Sequence, residues 1–170
     1  MNFLLQAFVA FALSLLFITD GIVPAVALPV LDSPSAACDY NAKGPLLRLR
    51  REAAVRDFTR LYLVEKQARK AFDKWIPGEY IQHNPDAVSG REVAIAYVEQ
   101  LQTTPGMAYQ NITSFSGEGF GLFHFRRRVP GTEVDFAIMD KLGFKGTCFN
   151  EHWDVRQRIT GNETNPIAYF

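Results

Sequence analysis

The sequence carries no surplus of either charge. It has 18 Lys and Arg against 18 Asp and Glu, so no bulk field would draw it to nucleic acid or an acidic membrane surface. It also lacks a Gly-x-Gly-x-x-Gly turn, a phosphate loop and a Gly-x-Ser-x-Gly elbow, which removes the usual signatures of dinucleotide, nucleotide and serine-hydrolase chemistry. Histidine is scarce, at three residues, and no His-x-His, His-x-x-x-His or Cys-x-x-Cys spacing occurs. That pattern argues against a zinc site, and no metal or cofactor is expected. No apolar run of membrane-spanning length follows the first 18 residues. The run over 3–18 is broken only by Gln6 and Ser14 and is shorter than the roughly 20 residues of a membrane-spanning helix.

That run, followed by Thr19-Asp20-Gly21 and the small-x-small pattern Ala25-Val26-Ala27, reads as a secretory signal peptide over 1–27 with cleavage near Ala27. No Lys or Arg precedes it, and an uncleaved anchor is the alternative. Cleavage removes Asp20 and no basic residue, leaving 18 basic against 17 acidic side chains, a formal +1. The expected product is secreted, with no membrane attachment after cleavage. In that compartment the two cysteines, Cys38 and Cys148, are candidates for a disulfide, the alternative being two unpaired thiols. The sequons at Asn111 and Asn162 are candidate glycosylation sites there. The basic run Arg126-Arg127-Arg128 reads as a solvated strand rim, with an anion-binding footprint as the less favoured reading.

Pro29, Pro34 and Pro45 lie among Ser, Ala and Gly residues over 28–45, marking an N-terminal arm. From Leu46 the apolar residues Leu49, Ala53, Phe58, Leu61 and Tyr62 recur at helical spacing, continuing through Ala68, Phe72 and Trp75. This predicts one long or two short helices ending before Pro77-Gly78. Tyr80 to Pro85 is short and extended. Ser89 and Glu92 form a candidate capping box at the start of a further helix, which Thr103-Thr104-Pro105-Gly106 stops. The period then changes to two, predicting strands over 108–117, 119–129, 132–142 and 147–159 joined by tight turns. Helices first and an antiparallel meander after them define an α+β domain over 46–160, with a tail over 161–170.

The titratable residues concentrate in two strings, Tyr80-Ile81-Gln82-His83-Asn84-Pro85 and Glu151-His152-Trp153-Asp154-Val155. Alternation in an extended strand puts Asn150, His152, Asp154 and Arg156 on one face, and Phe149, Glu151, Trp153 and Val155 on the other. On a curved sheet the first face can line a pocket, where a carboxylate beside an imidazole shares acid and base roles. On a flat sheet the same pair merely meets water. His83 either presents its imidazole to a cavity or caps a backbone turn. His124 shares a face with Phe120 and Leu122, as a core or a pocket-lining histidine. Asp140 follows the apolar row Val134, Phe136 and Ile138, either at the wet end of a strand or as a functional carboxylate.

The order of these features, with "YIQHNP", a "GRE" opening a helix, and "EHWDV" followed by Gln157, resembles the SnoaL-like polyketide cyclases of the nuclear-transport-factor-two-like superfamily, and among them the predicted aldol-condensation subgroup. The resemblance covers about residues 50–158. It implies a cone-shaped, curved antiparallel sheet wrapped by about three N-terminal helices around an apolar cavity. It also implies cofactor-independent acid/base chemistry on a small apolar carbonyl compound, as isomerase, cyclase or aldol-type lyase. By motif the base falls on Asp154 with His152 and His83 as partners, while His124, Asp140, Tyr80 and Trp153 line the pocket. Relatives often dimerise through the outer sheet face, so a homodimer is expected by the same analogy. A second reading makes the chain a non-catalytic secreted module that binds a hydrophobic small molecule or a protein in the same cone. The chain departs from the family pattern at Gly143, where Arg is usual, at Gly146-Thr147 in place of Asp-Gly, and at Cys148, where Lys is common.

Overall fold

A computed structural model describes residues 38–131 and 135–170. The predicted leader over 1–27, the arm as far as residue 37 and the start of the third predicted strand lie outside the described residues. The helical half is α1 (Leu47–Thr59), a π-helical segment (Arg60–Val64), α2 (Ala68–Trp75) and α3 (Arg91–Gln102). Apolar residues at helical spacing turn one face of α1 inward, burying Ala54, Val55 and Phe58. The widened π turn then seats Leu61 and Leu63 in the core. A break at Glu65 to Gln67 redirects the chain into α2, which ends before Pro77 as predicted.

The capping box does not form. Helix α3 starts two residues after Ser89, with Gly90 at its cap in the left-handed region (φ 128°) and no side-chain cap. Ser89 instead accepts a hydrogen bond from the Gln82 backbone N–H at 3.0 Å. Its hydroxyl therefore ties the extended segment to the helix entrance rather than closing the helix end.

The strands are β1 (Ile81–Gln82), β2 (Ala108–Gly117), β3 (Phe120–Arg128), β4 (Asp135–Lys145) and β5 (Cys148–Ile159), in the order β1-β5-β4-β3-β2. The sheet is curved and unclosed. β2 to β5 form the antiparallel meander, whereas β1 runs parallel to β5 with Gln82 opposite His152. The third strand of the meander runs to Lys145, past the predicted end at 142. Two bulges bend the sheet. In β2, one extra residue sits between Gln110 and Thr113, with Asn111 in the left-handed region at φ 53°. In β5, Gly143 opposes Glu151 while Phe144 opposes Phe149. Asn150 is the extra residue there.

The helices cover the concave face of the sheet. Phe58 is the hub of their packing, with ring centroids 5.5 Å from Phe123, 5.3 Å from Phe149 and 5.2 Å from Tyr62. Such aromatic pairs add about 0.5–1.5 kcal/mol each beyond their area burial. The described part of the arm is fixed at the β4–β5 turn. Asp39 accepts from the Thr147 N–H at 2.9 Å and donates its own N–H to Thr147 Oγ1 at 2.9 Å. Beside them Cys38 and Cys148 form a disulfide across 110 residues, so the cysteines are paired rather than free. Closing a loop of that length stabilises by about 4–5 kcal/mol in the chain-entropy model. No helix among the described residues is long and apolar enough to cross a membrane.

Candidate active site

Side chains on the concave face form three rows across the sheet, set by its register. Leu142 and His152 pair in one row, Phe123, Asp140 and Asp154 in the next, and Phe125, Ile138 and Arg156 in the third. Above them the helices supply Phe58, Tyr62, Phe72, Tyr97 and Leu101, and the segment following β1 supplies Asn84, Asp86 and Val88. Between sheet and helices lies a cavity of about 390 Å³, a volume within the range of small-molecule sites.

The polar groups of this cavity are connected in a defined sense. The His152 ring is 6.0 Å from the Tyr80 ring and nearly parallel to it. The Gln82 carbonyl oxygen accepts from the Asn84 backbone N–H at 3.0 Å, which fixes the orientation of the amide. The same oxygen lies 2.7 Å from His152 Nδ1. An amide oxygen only accepts, so Nδ1 carries a proton. The opposite nitrogen, Nε2, faces Asp140 Oδ1 at 3.4 Å. A bare lone pair against a carboxylate oxygen would repel, so a further proton is shared between His152 and Asp140. Both side chains are 13% exposed. Burial alone would push the His152 pKa down. The hydrogen bond to Asp140, with the charges of Asp140 and Asp154, outweighs it and holds the imidazole above its usual 6.5.

Asp154, 7% exposed, is engaged on both oxygens. Oδ1 accepts from the Asn84 amide at 2.5 Å, and Oδ2 lies 3.3 Å from Arg156 Nε. Arg156 also pairs with Asp86. Two carboxylates directly opposite each other on neighbouring strands repel; here each is given its own counter-group, Asp140 by His152 and Asp154 by Arg156. Burial pushes the Tyr80 and Tyr62 hydroxyls well above 10, and Tyr109 up to about 12. All three therefore stay protonated as donors.

Of the residues singled out in the sequence, Asp154, His152, Asp140 and Tyr80 line the cavity, while His83, His124 and Trp153 do not. The reason is parity. Pairing of Gln82 with His152 turns Gln82 inward and His83 outward, and the His83 N–H donates to the His152 carbonyl at 2.8 Å. The His83 ring stacks on Trp153 on the convex face with centroids 4.4 Å apart, and its Nε2 lies 3.2 Å from Glu151. Trp153 packs there against Phe120 and lies under Lys141. His124, also on the convex face, stacks on Phe170 of the tail. The simple alternation along the last strand holds from Glu151 onward, but the bulge at Asn150 returns Phe149 to the same side as His152.

Arg156 was placed on the pocket face by alternation, but Gln82, Asn84 and Arg127 were not assigned from the sequence, although its periodicity held the signal. Gln82 and Asn84 stand two apart on an extended segment and therefore point together. The run of three arginines is no uniform rim. Arg126 and Arg128 pair with Asp135, and Arg127 between them lines the cavity over Phe136. Among the described residues, no cluster of three or more His, Cys, Asp or Glu is arranged to hold a metal ion.

No family model matches the sequence, and no curated protein matches it. Solved structures do. AclR, a proposed hydroxylase from Streptomyces galilaeus, superposes with a TM-score of 0.52 at 15% identity, over 65% of this chain and 80% of AclR. A proposed polyketide cyclase from Acidithiobacillus ferrooxidans gives 0.49 at 20% identity, over 64% and 88%. A proposed SnoaL-like isomerase from Agrobacterium tumefaciens gives 0.43 at 12% identity, over 63% and 97%. Three helices laid over a curved, open five-stranded sheet give a cone fold of the kind that AclR shares.

Proposed function

We propose that this protein is a cofactor-independent acid/base enzyme that moves a proton next to a carbonyl group in a small, largely apolar compound. The observation that carries the reading is the Gln82–His152–Asp140 line, whose tautomer is fixed and which opens on an apolar-walled cavity. Motif resemblance placed the base on Asp154. The geometry favours Asp140, because both Asp154 oxygens already have donors while Asp140, among the described residues, meets only His152. Asp140 takes the proton alpha to the carbonyl, and His152 Nε2–H donates to the oxygen on which charge develops. The enol then regains a proton at another carbon, or attacks a second carbonyl. These outcomes define an isomerase and an aldol-type cyclase; the second reaction run backwards is a lyase.

Alpha-proton exchange in deuterated buffer, followed by NMR on aryl ketones and aryl keto acids, tests this. The wild type is expected to exchange at least one compound well above the buffer rate, with a loss of about 100-fold or more in Asp140→Asn. If every compound exchanges at the buffer rate yet some bind, the non-catalytic binding module becomes the better reading. That reading is favoured by one observation, the largely apolar and aromatic wall of the cavity. We also propose export of the protein, supported by the disulfide, which suits an oxidising compartment. Asn111 and Asn162 are both exposed and would be its modification sites in a eukaryotic secretory route.

A further inference from the structure

The cations lining the cavity are not equally committed. Arg156 serves Asp86 and Asp154, and His152 serves Asp140. Arg127 has no carboxylate partner among the described residues, and its Nε is buried with no hydrogen-bond partner. The Phe136 ring lies 5.2 Å from its guanidinium carbon. A guanidinium cannot shed its charge, and a buried donor left unpaired is costly. Nothing in the inward alternation of β3 demands the cost, since Phe123 and Phe125 fill the same face with apolar side chains. The hydroxyls of Tyr62 and Tyr109 stand close enough for the Arg127 charge to oppose the upward pull of burial on both.

We propose that Arg127 is an anion subsite, and that the cavity takes a carbonyl compound bearing a carboxylate several bonds from its reacting centre. One guanidinium with no carboxylate partner among the described residues and with neighbouring hydroxyls suits a planar monoanion, which it can hold in a two-pronged fork. A phosphate dianion would ask for a second cation, and Arg156 is taken. The separation follows from the register. Arg127 pairs with Phe136, four residues along β4 from Asp140, a backbone separation of about 13 Å. The long arginine stem shortens this, yet the two heads belong to opposite ends of one elongated guest. The carboxylate assignment stands on Arg127 alone; the reacting carbonyl at the other end rests on the acid/base reading above.

The test uses 3-benzoylpropionate, 5-oxo-5-phenylpentanoate and 6-oxo-6-phenylhexanoate, each beside its methyl ester, with affinity read by titration calorimetry. At least one acid is expected to bind about tenfold or more tighter than its ester. Arg127→Gln should erase that preference, and Arg127→Lys should keep part of it. Circular dichroism checks that each variant is folded, and Arg127→Lys carries the comparison if Arg127→Gln is not. Acids and esters that bind alike, the absence of binding by any acid at millimolar concentration, or a preference that survives the loss of the guanidinium overturns the subsite. Exchange of the alpha protons on the same compounds is scored separately. Acid preference without exchange removes the enzyme and keeps the subsite; exchange without acid preference does the reverse.

Discussion

At the scale of single residues, the site depends on which atoms hold protons. Gln82 fixes one on His152 Nδ1 and thereby directs Nε2 at Asp140. Gln82→Leu keeps the bulk and removes the acceptor. It should cost about tenfold in exchange rate and move the His152 titration, read from its imidazole NMR signals, while the melting temperature changes little. The raised His152 pKa also has a consequence for stability. The folded state binds this proton more tightly than the unfolded chain does. The stabilisation is therefore complete below about pH 6.5 and is lost as pH rises through the higher folded value. Thermal melts between pH 6 and 9 should show that decline in the wild type and a flatter profile in His152→Gln. An identical slope in both would remove the His152–Asp140 pair from the account. The pairing of Asp154 with His152 on one face was legible in the sequence, because a polar string at period two can only mark a face. Which carboxylate keeps an open oxygen was not. That depends on Asn84, brought beside Asp154 from 70 residues away.

At the scale of elements, the concave face is built by parity, and parity is enforced by bulges and by absent side chains. Gly121 lies in β3 where a Cβ would stand 3.0 Å from both Phe149 and Val55. Gly121→Ala should therefore destabilise by about 1–3 kcal/mol through overpacking, measured as a lower urea midpoint at unchanged slope. Ser89→Ala removes the acceptor of the Gln82 N–H. It should cost about 1 kcal/mol or less and lower exchange more than stability, since the loss falls on the segment that places Gln82 and Asn84. The four meander strands and the helical half were readable from the change of period at Gly106. Two features were not. The β5 bulge leaves no mark in the hydrophobic pattern, because Asn150 and Glu151 are both polar and either could be the extra residue. The parallel pairing of β1 is two residues long, too short to show any periodicity. It is nonetheless this pairing that sends His83 outward and Gln82 inward.

At the scale of the whole molecule, the domain is closed by a covalent bond and by one edge. The disulfide joins the first described residue to the start of β5, and the neighbouring Asp39–Thr147 bonds seat the arm against the turn. Replacing both cysteines with serine should lower stability by about 2–5 kcal/mol. The expected readout is an earlier denaturant midpoint that reductant no longer shifts, whereas the wild-type midpoint moves with reductant. Gly146 leaves no room for a side chain here, since a Cβ would come within 2.1 Å of the Asp39 carbonyl. The strand that follows carries His152, Asp154 and Arg156, and everything that completes them precedes it in the chain: Cys38, Gln82, Asn84 and Asp140. During synthesis, which runs from the N-terminus, these partners emerge first and wait. The site is thus completed only once β5 has been made, so a nascent or truncated chain lacking residues 148–159 would present an open apolar trough that keeps Asp140 but has neither its imidazole partner nor the staple.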